Sequence, residues 1–269
     1  LLMSATPIPR TLANTLYGDM DITTIETMPK GRVPAETILV QKNSIKPIVK
    51  DLERILAQWH QWYFICASIE DNENYTAKNV NEIADALAKY FKNYKIGMLH
   101  GQMSSDEKDE VMNAFAKNET QILVSTTVVE VGVNVVNATG MVIYDAHRFG
   151  LSQLHQLRGR VKRGKEKGYC YLLTDSDTPE AIERLNVLVK SQDGFYISQE
   201  DLRLRGPGDI LGTRQSGVPG FILGNLIEDT KIIQQAKKDA EKMINSPNHD
   251  DYQKMLKMIM NLQQTSYRD

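Results

Sequence analysis

From Thr37 to Leu173, short apolar runs alternate with longer segments in which apolar positions recur every three or four residues. The short runs predict strands over Thr37–Val40, Tyr63–Ala67, Ile96–Leu99, Ile122–Ser125, Met141–Tyr144 and Tyr169–Leu173. Helical spacing predicts Ile45–Trp59 and Ala77–Phe91, the latter with Val80, Ile83, Ala84, Leu87 and Tyr90 inward. Ser104 followed by Glu107 forms a capping box, and the helix it opens runs to Ala116 with Val111, Met112 and Phe115 facing a core. Strands alternating with helices predict an α/β fold, a parallel sheet covered by helices on both faces.

The flanks differ in character. Leu1–Ala5 reads as the end of a buried strand, and Pro7 and Pro9 punctuate a turn into a helix near Arg10–Tyr17. Met28–Pro34 (MPKGRVP) carries two prolines, a glycine and two cations and suits a linker. Beyond Asp175 the pattern turns helical: Pro179–Lys190 with Ile182, Leu185, Leu188 and Val189 inward, then a short helix through Leu204 capped by Ser198. The Arg205–Gly220 stretch, RGPGDILGTRQSGVPG, reads as an ordered hairpin loop or a hinge. Leu226–Ile244, with Ile232, Ile233, Ala236, Ala240 and Met243 on one stripe, and the Met-rich Tyr252–Leu262 form a predicted helical hairpin. Three segments result: 1–34 as the end of one lobe plus linker, 35–177 as an α/β lobe, and 178–269 as a mostly helical segment.

Composition narrows the reading. Among 269 residues, 41% are hydrophobic and 25% charged, which excludes a disordered chain. With a net charge of −2, any nucleic-acid contact must come from local patches, and Arg158–Lys167 is one, holding six basic residues against Glu166. No apolar run approaches a membrane span, and with no signal peptide the reading is cytoplasmic, with no membrane partner. Cys66 and Cys170 lie in strand-like runs and read as buried thiols, with no metal site. The opening LLMSATPIPR, without an initiator Met, suggests a piece of a longer polypeptide.

Candidate chemistry concentrates in SQLHQLRGRVKRG, Ser152–Gly164. Leu154, Leu157 and Val161 face a core at helical spacing, while Gln156, Arg160 and Arg163, four and three residues apart, place an amide and two guanidiniums on one face. Such a face suits the charge on a transferring phosphoryl group, and equally an exposed helix with ordinary surface arginines. Ligands of open parallel sheets bind at the carboxyl ends of strands. His100, the pair Thr126 and Thr127, and Gly132 stand there. The threonines either touch a phosphodiester or close a turn; His100 on its own reads as a packing or hydrogen-bonding residue. Ser4 and Thr6 are a further pair of strand-end hydroxyls.

Three segments carry a family resemblance. SATPIPRT (Ser4–Thr11) is similar to motif III of superfamily 2 helicases, STTVVEVGVNV (Ser125–Val135) to motif V, and QLRGRVKR (Gln156–Arg163) to motif VI. Together with LRLRGPGDILGTRQSG they resemble the RecG family of DNA translocases; the Mfd family of transcription-repair coupling factors, which acts through a protein partner, shares the loop and is the alternative. The resemblance implies a RecA-like second helicase lobe and an ATP-dependent DNA helicase that remodels branched DNA without reading sequence. It implies ATP and Mg²⁺, held mainly by a first lobe that also lies outside this sequence, with neither bound tightly here. A wedge domain and a single-stranded-DNA-binding protein join DNA as implied partners. By matching position, Arg160 and Arg163 become arginine fingers ordered by Gln156, while Gly132 and Asn134 face nucleotide. Thr126, Thr127 and His100 face DNA, and Ser4, Thr6, Arg184, Arg205 and Gln215 couple nucleotide state to movement.

The chain departs from the family pattern at Lys162, which replaces a Gly away from the Gln156/Arg160 face, at Asn134, which replaces an Asp, and at Val136, which replaces a Pro. No G-x-x-x-x-G-K-[ST] phosphate loop and no acidic Mg²⁺-binding box occurs in the sequence. The 269 residues alone are therefore expected not to hydrolyse ATP.

Overall fold

The computed structural model describes residues 33–66, 80–127, 135–161, 167–205, 230–245 and 252–258, with the single positions 23, 25 and 250. Its centre is a six-stranded parallel sheet of β1 (Glu36–Val40), β2 (Gln61–Ile65), β3 (Ile96–Leu99), β4 (Ile122–Ser125), β5 (Ala138–Ile143) and β6 (Tyr169–Leu173), ordered β1-β6-β5-β2-β4-β3. The helices are α1 (Val49–Leu56), α2 (Val80–Tyr90), α3 (Ser105–Ala116), α4 (Leu151–Arg158), α5 (Pro179–Lys190), α6 (Gly194–Arg205) and α7 (Thr230–Ile244).

Strand side chains alternate between two cores, as the period of two requires. Tyr63, Ile65, Leu123, Met141, Ile143 and Leu172 pack on one face with Phe115 of α3, Leu154 and Leu157 of α4, Leu185 and Leu188 of α5 and Ile197 of α6. Trp62, Phe64, Val124, Val142 and Tyr171 pack on the other with Leu52 and Ile55 of α1 and Ile83 and Leu87 of α2. β2, β4 and β5 are buried at every position, which is why they read as continuous apolar runs. Cys66 and Cys170 are buried free thiols whose pKa burial pushes up to about 12, so neither is a nucleophile at neutral pH.

Local chemistry sets the element ends. The capping box is formed in both directions: Ser104 Oγ accepts from the Glu107 N–H, and a Glu107 carboxylate oxygen accepts from the Ser104 N–H at 2.8 Å. The end of α3 is satisfied from a distance, because the fully buried Gln61 amide donates to the Phe115 and Thr120 carbonyls at 2.6 Å each.

Several expectations need correction. The helix expected over 45–59 is a 3-10 turn at Lys46–Ile48, which contains Pro47, followed by α1, which stops at Leu56. Trp59 lies outside it at φ 66°, with its carbonyl held by the Asn118 and Asn137 side-chain amides. The second strand begins at Gln61 and ends at Ile65, and the fifth starts at Ala138. Tyr90 is half exposed, and on α5 Val187 is buried where Val189 was expected. Ser198 caps nothing: it is buried within α6, and the Asp193 carboxylate accepts from the Phe195 N–H at that helix's start. In α7, Ile232 and Ala236 of the predicted inward stripe are exposed. The sheet and its helices form one compact unit that runs to Leu204, and α7 belongs to a second.

Gly140 pairs with Trp62 across β5 and β2, and a Cβ there would lie 2.3–2.4 Å from three atoms of the indole ring. A Cβ at Gly159 would meet nothing within 4 Å. Gly140→Ala should therefore cost about 1–3 kcal/mol through overpacking, while Gly159→Ala, at right-handed helical dihedrals, should be neutral or slightly stabilising. Urea denaturation of both variants checks the contrast; equal midpoints would refute the Trp62 contact.

Candidate functional site

Because all six strands run the same way, their carboxyl ends line one edge of the sheet. At the β3 and β4 ends, Leu99 pairs with Ser125, and the Thr126 N–H donates to the Leu99 carbonyl at 3.2 Å, so His100 and Thr126 are brought together as the sequence suggested. Thr126 is buried, Thr127 is half-buried, and the half-buried His100 has a buried Nδ1 without a hydrogen-bond partner. Lys108 Nζ, from α3, donates to the Gly101 carbonyl at 3.0 Å and supplies a cation at this corner. Hydroxyl, imidazole and ammonium groups are donors of the kind that bind a phosphodiester without reading bases.

At the β1, β5 and β6 ends lies a network that sequence reasoning missed. Asn43 Nδ2 donates to Asp145 Oδ1 at 2.6 Å while the Asp145 N–H donates to Asn43 Oδ1 at 3.0 Å, and the Asn43 N–H donates to Asp175 Oδ1 at 2.8 Å. Asp145 takes a left-handed conformation, φ 49°, that turns the chain sharply from β5 toward α4. Two residues on, His147 Nδ1 pairs with Thr174 Oγ1 at 2.8 Å. Burial holds the His147 imidazole below its ordinary pKa, with Arg148 and Arg184 acting the same way and Asp145 opposing. Arg184 of α5 donates through its guanidinium to the His147 carbonyl, so this predicted coupling residue is tied to the loop ahead of α4. The sequence sign of the network was four polar or charged positions, Asp145, His147, Thr174 and Asp175, close behind two apolar strands.

The arginine segment differs most from expectation. Leu154, Leu157 and Val161 are buried as predicted, but the α-helix ends at Arg158 and Gly159–Val161 is a 3-10 turn. A 3-10 residue turns the chain about 120° against about 100° in an α-helix, so Arg160 is rotated roughly 40° further round than one α-helical face allows. Gln156 and Arg160 are both half-buried. The turn also lies away from the carboxyl edge: a Cβ on Gly168, just ahead of β6, would lie 2.4 Å from the Val161 carbonyl oxygen. The predicted residues thus divide between the strand ends, with His100, Thr126 and Thr127, and the Gly159–Val161 turn with Arg160.

Arg158, expected on the exposed basic patch, is only 2% exposed. Its Nη1 donates to the Leu188 carbonyl at 2.6 Å, the Ser191 carbonyl at 2.9 Å and Thr37 Oγ1 at 3.2 Å, and its Nη2 pairs with His155 Nδ1 at 2.9 Å. Ser4, Thr6, Gly132, Asn134, Lys162, Arg163 and Gln215 lie outside the described residues. Arg205 is the last residue of α6, and Val136 is exposed. Among the described residues no three His, Cys, Asp or Glu side chains converge on a metal position, and no helix is long and apolar enough to cross a membrane. For nucleotide, the described residues offer the donors of Arg160 and Gln156.

Comparison with known proteins adds identity to this geometry. The helicase conserved C-terminal domain model matches residues 48–165, and the model for ATP-dependent DNA helicase RecG, domain 3, C-terminal, matches 191–266. The chain is 47% identical over 247 residues to the ATP-dependent DNA helicase RecG of Bacillus subtilis and 46% identical to that of Staphylococcus epidermidis, each alignment covering 91% of this chain. It spans 36% of the length of these relatives. Among solved structures it resembles RecG bound to a three-way DNA junction, with a TM-score of 0.68 and 40% identity over 86% of this chain and 30% of that one. The RecA-like lobe expected from sequence is confirmed by that likeness and by the sheet.

His147 supplies a pH test. Its folded pKa lies below the ordinary 6.5, so the unfolded chain takes up the proton first, and the stability this residue contributes above pH 6.5 is lost as the pH falls through the folded value. Urea midpoints should drop between pH 7.5 and pH 5, and His147→Asn should flatten that slope. An unchanged slope in the variant would assign the pH dependence to other groups.

Proposed function

The chain belongs to the RecG family of ATP-dependent DNA helicases, and from that membership we propose that it forms the second motor lobe and the following helical segment of a DNA translocase that remodels branched DNA. Residues 35–177 are the lobe, 178–269 carry the movement outward, and 1–34 link to a first lobe. That first lobe supplies the phosphate loop and the Mg²⁺-binding carboxylates, a wedge domain grips the junction, and a single-stranded-DNA-binding protein is a further partner. The protein acts in the cytoplasm. The match over 191–266 favours this reading over the coupling-factor alternative.

The observation that carries the proposal is the Gly159–Val161 turn, whose Arg160 is held on a fixed support. Behind it Leu154 and Leu157 are fully buried, Val161 within the turn is buried too, and the Val161 carbonyl packs on Gly168. A guanidinium held in place in this way stabilises the charge that develops on a γ-phosphoryl group without reorganising during the reaction. Gln156 orders the turn, and Arg163 is the second finger. Gly132 and Asn134 contact nucleotide. Thr126, Thr127, His100 and Lys108 hold the DNA backbone. Ser4 and Thr6 sense nucleotide state, and Arg184, Arg205 and Gln215 relay it.

In the full-length protein, Arg160→Ala should lower DNA-stimulated ATP turnover on the order of 10³-fold, the loss usual for an arginine finger, with fork unwinding falling in parallel. Steady-state turnover with forked DNA checks this, with circular dichroism to verify folding. Retention of more than about a tenth of wild-type turnover would remove Arg160 from the chemistry.

A further inference from the structure

Arg158 lies two residues before Arg160, yet it is buried, and its guanidinium is engaged by four groups of the surrounding fold. Those partners are a hydroxyl on β1, two main-chain carbonyls at the end of α5 and an imidazole one turn back on α4. Leu188 is in the last turn of α5 and Ser191 immediately follows it, so their carbonyls belong to the group a helix leaves without intrahelical donors. The permanent cation of one helix thus caps the carbonyl end of its neighbour, where the helix dipole favours positive charge. Burial opposes the charged form, and the carbonyl oxygens offset that cost.

A second arginine makes the reciprocal tie. Arg184 of α5 donates to the His147 carbonyl, four residues ahead of the start of α4. Each helix therefore fastens the other, α5 gripping the entry to α4 and α4 gripping the exit of α5. Leu154, Leu157, Leu185 and Leu188 belong to the one apolar cluster that runs between the two ties. Directional bonds at both ends fix the sliding register of the pair, which leucine packing alone leaves soft. Only Ser191, Gln192 and Asp193 separate α5 from α6, and Gln192 Nε2 is bonded to the Ala35 carbonyl at 2.5 Å, so little slack follows the joint. α6 then ends at Arg205.

Building on the motor function proposed above, we infer that Arg158 is a positioning residue for mechanical output: it locks α4 to the end of α5, so that displacement of the arginine-bearing turn is delivered to α6 and Arg205. It contributes to transmission and not to ATP chemistry. An apolar side chain of similar length fills the same space and leaves Arg160 on its turn, but it cannot hold the Leu188 and Ser191 carbonyls. A lysine restores the charge and one bond, without the fork.

The test uses the full-length protein, with Arg158→Met and Arg158→Lys, and reads DNA-stimulated ATP turnover and fork unwinding on the same preparations. Arg158→Met should keep turnover within about threefold of wild type while unwinding per ATP falls about tenfold or more, and Arg158→Lys should recover part of that ratio. A merely structural role would not move the ratio, since unfolded molecules lose both activities together. Proportional loss in both variants, or an unchanged ratio, would overturn the inference while leaving the motor function intact. Absence of DNA-stimulated turnover in the unmodified protein would instead overturn the motor function, and this inference with it.

Discussion

A sheet in which every strand runs the same way imposes two demands, and most of this structure is an answer to them. Both faces must be covered, because the strands at its centre are buried on each side, and every crossover must return across a face before the next strand can begin. Here α1 and α2 cover one face and α3 to α6 the other. The crossovers also sort the chemistry. Strand ends such as Leu99–His100, Ser125–Thr126 and Ile143–Asp145 gather on one edge, while a helix that crosses the face delivers its own carboxyl end to the opposite side. α4 is eight residues and about 12 Å long, enough to carry Gly159–Val161 from the carboxyl edge to the start of β6. The groups proposed to face DNA and those proposed to face nucleotide therefore occupy different parts of one lobe, and a motor of the proposed kind has to connect them.

Polar groups inside the fold tie the β1, β5 and β6 ends to α4 and α5. Asn43, Asp145 and Asp175 knit three strand ends together, His147 and Thr174 extend the network, and the two arginine ties bind α4 to α5. Burying such groups is expensive unless each finds a partner, and their use here gives direction and register that apolar packing does not supply. An exposed ion pair such as Arg203 with Glu183 lies in water and adds little by comparison.

Much of this was legible in the sequence because it is local. The Ser104/Glu107 box located α3 to the residue, and the short apolar runs located β3, β4 and β6, since a cap and a buried strand are written in adjacent positions. What escaped depends on residues far apart. Arg158 reads as one more cation in a basic run, and only the arrival of Thr37, Leu188 and Ser191 from elsewhere in the chain turns it inward. Asn43 and Asp145 are separated by 102 positions. The break after Arg158 was hidden for a different reason: apolar spacing continues through Val161 whether the last turn is α or 3-10, so the periodicity could not show that Arg160 leaves the Gln156 face.

In the proposed motor, a lobe built on this sheet presents Arg160 to the γ-phosphate of ATP while its strand ends hold the DNA backbone. A structure of the full-length protein with forked DNA and an ATP transition-state mimic tests it most directly. The Arg160 guanidinium is expected about 3 Å from the γ-phosphate mimic, with Thr126 or Thr127 at hydrogen-bonding distance from a phosphodiester oxygen. An Arg160 turned away from the nucleotide in that closed state, with Arg158 still seated on α5, would contradict it.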